Sequence, residues 1–223
     1  MSKKTAKRKP NNKVGPLVGG AAMSLHSVET IKLWSPGQHS SVPSVVQFFG
    51  AMSTLEVAAR NDDPYADYAL LEIERAMNDA FGLFEQCLAS LPVVNSSRIQ
   101  YQEVYNRKPL VKQFVNQSRF GWRLVMLLEQ FDVLMVRLLD AQFKTLIGRT
   151  AFEQARKSTR QAMRGILTLS RTLTHSGITR QDVAANNAKA LAAQKKHGAI
   201  PLEVLEGIER AEFAPDIRQD GYQ

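Results

Sequence analysis

Cysteine occurs once, at Cys87, so the chain cannot close a disulfide on itself, and a reducing cytoplasm suits it. No apolar run approaches the ~18 residues that cross a bilayer. The opening MSKKTAKRKPNNKVGP is cationic but leads into no apolar stretch, so it reads neither as a signal peptide nor as an anchor. Histidine stands only at 26, 39, 175 and 197, never at a metal-ligand spacing from another histidine or from Cys87. The glycines of VGPLVGG lack the Lys-Ser/Thr that a phosphate-cradling loop needs, and no GxGxxG follows a strand. No Ser-His-Asp or Cys-His set is marked by a motif. The carboxylate pairs have plainer readings: Asp62/Asp63 as a helix cap and Glu72/Glu74 as the solvent side of a helix. These absences predict a soluble, cytoplasmic chain that is not an enzyme and holds no cofactor and no metal.

What the chain has is positive charge, unevenly placed. Lys and Arg number 29 against 21 Asp and Glu, a formal net of +8 over 223 residues. Residues 1–97 balance at nine against nine, although six of those bases fall in the first thirteen residues. Residues 98–180 hold fifteen bases against five acids, a net of +10, and 181–223 hold five against seven. A basic block in mid-chain favours a polyanion, with nucleic acid the first candidate and an anionic membrane surface the second.

Hydrophobic residues make up 44% of the chain and recur mostly at helical spacing. Residues 1–16 form a disordered basic tail, 17–215 a single mostly helical domain, and 216–223 a frayed end. AAMSLHSVETIKLW alternates through Met23 to His26, a short strand that blurs toward Trp34. Pro43 opens a helix to about Arg60. Asp63 and Pro64 begin the next as cap and first position, and its stripe runs Leu70, Ile73, Met77, Phe81, Phe84, Leu88, Leu91. VVNSSRIQYQEVYNRKP is extended or irregular, LVKQFVNQ is a strand, and Phe120 to Ile147 is a helix apolar on several sides. Gly148 ends it, and Thr150 with Glu153 reads as the capping box of a helix carrying Arg156, Lys157, Arg160, Arg164 and Arg171 on its polar side. Thr179 with Asp182 caps an Ala-rich helix to His197, and a short helix follows Pro201.

The strand after Pro109 is the odd element, because its N–H and C=O groups need a partner that helices do not offer. Two partners are open: the Met23 to His26 segment of the same chain, or the same strand of a second subunit about a two-fold axis. The second gives a two-stranded ribbon that the major groove of DNA accepts. Lys pairs with guanine O6 and N7, while Asn and Gln pair with adenine N6 and N7, which singles out Lys112, Gln113 and Asn116. Alternation separates Lys112 and Asn116 from Gln113 and Gln117. The favoured register turns Lys112 and Asn116 outward and Val111 and Val115 inward, with Arg107, Lys108 and Arg119 meeting phosphates. Strand, helix, Gly turn and second helix is the order of a ribbon-helix-helix unit over about 108–175, and Arg149 and Thr150 at the second helix's start would bind phosphate there. The first helix is about twice the length of a minimal unit.

Five strings, NDDPYADYALLEIE (61–74), SRFGW (118–122), GITRQDV (177–183), IPLEVLEG (200–207) and EFAP (212–215), together resemble the AcaB family of transcriptional regulators and related proteins carried by integrating conjugative elements. The resemblance implies a bacterial, plasmid- or element-borne regulator of conjugative transfer genes that acts as a dimer through a ribbon-helix-helix type DNA-binding part. It carries over no base-contacting residue.

The expected fold class is therefore mainly α with a short β-ribbon, an elaborated ribbon-helix-helix dimer. The expected function is a sequence-specific regulator, an activator, nucleoid-associated, with double-stranded DNA, a second copy and RNA polymerase as partners and no membrane. The alternative is a helical structural or adaptor protein of a conjugation system, docking a protein through the Phe120 to Ile147 helix.

Overall fold

The computed structural model describes residues 19–37, 40–93 and 98–218, so the basic tail, His39 and the last five residues lie outside the described part. Helix α3 (Pro64–Ala89) is the central element. It starts where the sequence places it, with the Asp63 carboxylate accepting from Tyr65 N at 2.9 Å and Ala66 N at 3.1 Å and Pro64 in the first turn. Its stripe buries Leu70, Ile73, Met77 and Phe84 completely. Around it pack α2 (Val45–Arg60), α4 (Arg119–Phe143), α5 (Arg149–Thr172) and the short α8 (Leu202–Leu205). Phe48 of α2 and Phe120, Leu124, Leu127, Leu128 and Phe131 of α4 fill the same core, with the Phe84 and Phe131 rings 5.6 Å apart. Each such side chain contributes roughly 1.5–3 kcal/mol by leaving water.

The chain is mainly helical with one two-stranded antiparallel sheet, β1 (Gly19–Leu25) on β2 (Leu110–Asn116). The second strand thus finds its partner in the same chain, the first of the two possibilities, and does not wait for a second subunit to satisfy that edge. Several boundaries differ from expectation. A helix α1 (Val28–Trp34) follows β1, where the sequence pattern blurs; Ser27 caps it and bonds Thr30. α2 is capped by Ser44 and Gln47, one residue beyond Pro43. α4 stops at Phe143 because Leu146 N–H turns back to Ala141 O at 2.8 Å, leaving Phe143 exposed. The box of Thr150 and Glu153 does not form, because Gly148 is itself the cap of α5, without a side-chain bond. The Ala-rich helix is two, α6 (Arg180–Ala184) and α7 (Ala188–His197), broken where Asn186 takes φ 45° and Asn187 caps the second.

Residues 174–218 form a strap clipped to α3 by three of its own or adjoining carboxylates. Asp63 accepts from Ser176 N, Ser176 Oγ and Gly177 N at 2.6–2.9 Å. Asp67, fully buried, accepts from Arg180 at 2.7 Å and twice from Arg210 at 2.9 Å. Glu74 takes the N–H groups of Glu212 and Phe213. It is 7% exposed, so the solvent-side reading of Glu72/Glu74 is corrected for Glu74.

Candidate nucleic-acid interface

The β1–β2 register runs from Gly19 opposite Asn116 to Leu25 opposite Leu110. Strand alternation then fixes two faces. The inner face carries Leu25, Phe114 and Asn116, all buried, together with Met23 and the half-buried Lys112. Phe114 anchors it, with its ring 5.5 Å from Trp34, 5.7 Å from Phe49 and 5.6 Å from Trp122. The outer face carries Gly20, Ala22 and Ser24 of β1 and Val111, Gln113 and Val115 of β2, all exposed.

The favoured register is therefore corrected: Val111 and Val115 are 55% and 62% exposed, while Asn116 is 2% exposed. Asn116 belongs to the corner between β2 and α4. Its Nδ2 donates to Ser118 O at 2.8 Å, and its Oδ1 accepts from Ser118 N at 3.1 Å. Ser118 caps α4 through Gly121 N and donates its hydroxyl to Glu56 at 2.7 Å, and Glu56 also accepts from Phe120 N. Gly121 makes room, since a Cβ there would lie 2.3–2.6 Å from the Asn116 amide group. The string Asn-Gln-Ser before a helix carried that signal, because Asn bonds the backbone two residues on.

The other expected site residues sit as follows. Arg107 and Lys108 are exposed in the turn before β2, which Asn106 holds by donating to His26 O and accepting from Lys108 N. Arg119 is exposed at the first position of α4, beyond the other end of the ribbon. Gln113 is exposed in mid-strand, and Gln117 follows β2, also exposed. Arg149 and Thr150 are exposed at the start of α5, whose first N–H groups receive no side-chain oxygen. Arg107 and Lys108 thus join the β1–β2 end of the sheet, while Arg149 and Thr150 stand on a separate element.

The charge census overstates what this surface offers. Arg180 pairs with Asp62 and Asp67 at 2.7 Å, Arg137 with Glu103, and Lys144 with Asp140 at 2.7 Å. Burial alone would raise the Asp140 carboxyl, but the Lys144 bond, the Val104 N–H and the charges of Lys144 and Arg137 outweigh it and hold it below the usual range. Arg123 bonds Asn78 and lies over the rings of Phe81 and Phe213. Among the described residues, the side chains of Arg107, Lys108, Lys112, Arg119, Arg149, Lys157 and Arg164 make no ion pair or hydrogen bond. These are cations that a polyanion can meet without displacing a partner.

No group of three or more His, Cys, Asp or Glu among the described residues could share a metal, and no helix among them is long and apolar enough to cross a membrane. Comparison with curated proteins gives no match. Among solved structures, the crystal structure of selenomethionine-containing AcaB from uropathogenic E. coli is similar, with a TM-score of 0.59 and 11% identity over 87% of this chain and 100% of that one. At that identity the likeness speaks for the fold alone. The model of a family described as transcriptional regulator AcaB matches residues 13–218, nearly the whole chain. With the sheet, the helical core and that match on the same residues, the chain belongs to the AcaB family of transcriptional regulators.

Proposed function

We propose that this regulator binds DNA sequence-specifically by laying the outer face of its β1–β2 ribbon in the major groove. One observation carries the reading: the outer face pairs a row of small residues, Gly20, Ala22 and Ser24, with the exposed row Val111, Gln113, Val115. Small side chains let the ribbon approach base edges closely. The Gln113 amide both donates and accepts, as adenine N7 and N6 require, and valine methyls suit the thymine methyl group. Arg107 and Lys108 at one end and Arg119 at the other supply phosphate contacts, as do Arg149 and Thr150 at the open start of α5. Lys112 lies half-buried on the inner face, away from this row. Family membership supports the rest of the reading, a homodimer on a partly symmetric operator that activates conjugative transfer genes by contact with RNA polymerase. With β1 already paired to β2, the dimer would rest on operator symmetry and on other surfaces, not on the missing partner of β2.

Gln113→Ala should lower the preference for promoter DNA over a scrambled duplex by roughly 1–3 kcal/mol in a mobility shift, with the fold intact. An unchanged preference removes the ribbon from the site. A second reading, the adaptor, draws on Leu139 and Phe143, 45% and 80% exposed toward the end of α4, where a protein partner could dock. It requires DNA binding that is weak and indifferent to sequence.

A further inference from the structure

A second cationic surface runs along α5. At 100° per residue, Arg149, Arg156, Arg160, Arg164 and Arg171 fall within a sector of about 80°, and their span at 1.5 Å per residue is about 33 Å. The core side of the helix borders this sector: Phe152, Met163 and Ile166 lie within about 80° of its edge, and the buried Leu167 falls at the same angle as Arg149. Lys32 of α1 joins the row, lining one small recess with Arg160, Arg164 and Glu29. The acids that answer these charges are few. Glu29, whose side chain is 13% exposed, accepts from Arg160 at 3.4 Å and stands 3.9 Å from Arg156, which also meets Glu153 at 3.5 Å. Asp79 borders a groove beside Arg164 without an ion pair. Arg171 donates to the Ser41 carbonyl, which leaves its charge unmatched.

We propose that this ridge is a phosphate track, a sequence-blind contact to the DNA backbone whose strength Glu29 limits. The proposal rests on the DNA-binding reading and adds to it a surface that reads no base. DNA fits better than a membrane or an acidic protein for two reasons. None of the exposed large hydrophobic residues lies on α5, so the ridge has nothing to insert into lipid and no apolar anchor for a protein. Its length is about one turn of duplex, over which both phosphate backbones cross its line. Continuity with the ribbon is built in, since Glu29 stands four residues after the end of β1, and the Arg107–Lys108 turn is held against His26. Glu29 acts by holding Arg156 and Arg160 to a carboxylate, so each phosphate contact has to displace it.

The test is binding of the full chain to a random-sequence 20-base-pair duplex, followed by anisotropy over a salt series. Arg160→Ala/Arg164→Ala should flatten the slope of log K against log salt by about 2, and Glu29→Gln should tighten binding and steepen the slope by about 1. Unchanged slopes in both variants overturn the track. So does a double variant that loses binding to phosphatidylserine vesicles while keeping its duplex affinity. The two DNA surfaces fail separately: Gln113→Ala moves preference between sequences, whereas the ridge variants move affinity for all sequences equally. A wild-type chain with a flat salt slope on every duplex would sink both.

Discussion

Asn116 shows how one residue type serves two different chemistries. Its amide could pair with adenine, yet in the chain both of its ends bond the Ser118 backbone, with Gly121 against it. Phe114 decides the matter, because it shares a strand face with Asn116 and burying an aromatic ring outweighs burying valines that can be left partly wet. Asn116→Ala should therefore cost about 1–3 kcal/mol of stability, by loss of buried hydrogen bonds, and should leave sequence preference among folded molecules unchanged. Gly121→Ala should cost a similar amount, since the new methyl group meets the Asn116 amide at under 3 Å. Urea unfolding followed by the fluorescence of Trp34 and Trp122, which flank Phe114, reads both. A stable Asn116→Ala chain with altered base preference would return this residue to the DNA surface.

Among the elements, the strap has the most legible pH dependence. The His197 ring lies 5.4 Å from the Tyr65 ring, and the Tyr65 hydroxyl donates to Gly198 O at 3.0 Å. Burial, followed by the charge of Lys196, lowers the His197 pKa below 6.5, against a smaller opposing pull from Asp63. The unfolded segment thus takes up the proton first as pH falls. The contribution of His197 is complete above pH 6.5 and is lost as pH drops through the lower folded value. Amide exchange in α7 should accelerate between neutral pH and about pH 5 beyond the intrinsic effect, and His197→Gln should remove that extra component. The same pH response in His197→Gln would place the cause elsewhere. Elements with two independent signals were readable from the sequence: α3 had both a cap and a long apolar stripe, and Thr179 with Asp182 marked α6. α1 was hidden because its seven residues make only two turns. The break before α7 was hidden because an Ala-rich string has no apolar stripe to interrupt, and only the Asn186-Asn187 pair announces it. At the site, the basic block was legible as charge, but which bases remain available was not, since Glu29, Asp62 and Asp67 reach them from outside the block.

On the scale of the whole molecule, contacts between distant parts of the chain argue that the described residues unfold as one unit. Asp132 of α4 takes the N–H groups of His26 and Ser27 at 2.8 Å, so the turn after β1 is fixed to a helix more than a hundred residues away. Asp63, Asp67 and Glu74 do the same for the strap. We infer a single domain, for which helical circular dichroism and tryptophan fluorescence should give coincident urea transitions. Asp67→Ala tests the strap's share of that cooperativity. It leaves Arg180 and Arg210 without the buried carboxylate that both meet, a loss of about 3–5 kcal/mol by analogy with other broken buried pairs. Val204 O and Pro215 O still accept from these two arginines, so the strap should loosen without the whole chain unfolding. The circular dichroism transition should then begin before the fluorescence transition, because both tryptophans report on the packing around Phe114, and proteolysis should cut first within 174–218. Separated transitions in the wild-type chain would divide it into two domains, and an Asp67→Ala midpoint equal to wild type would show that the buried clamp contributes nothing to holding the strap.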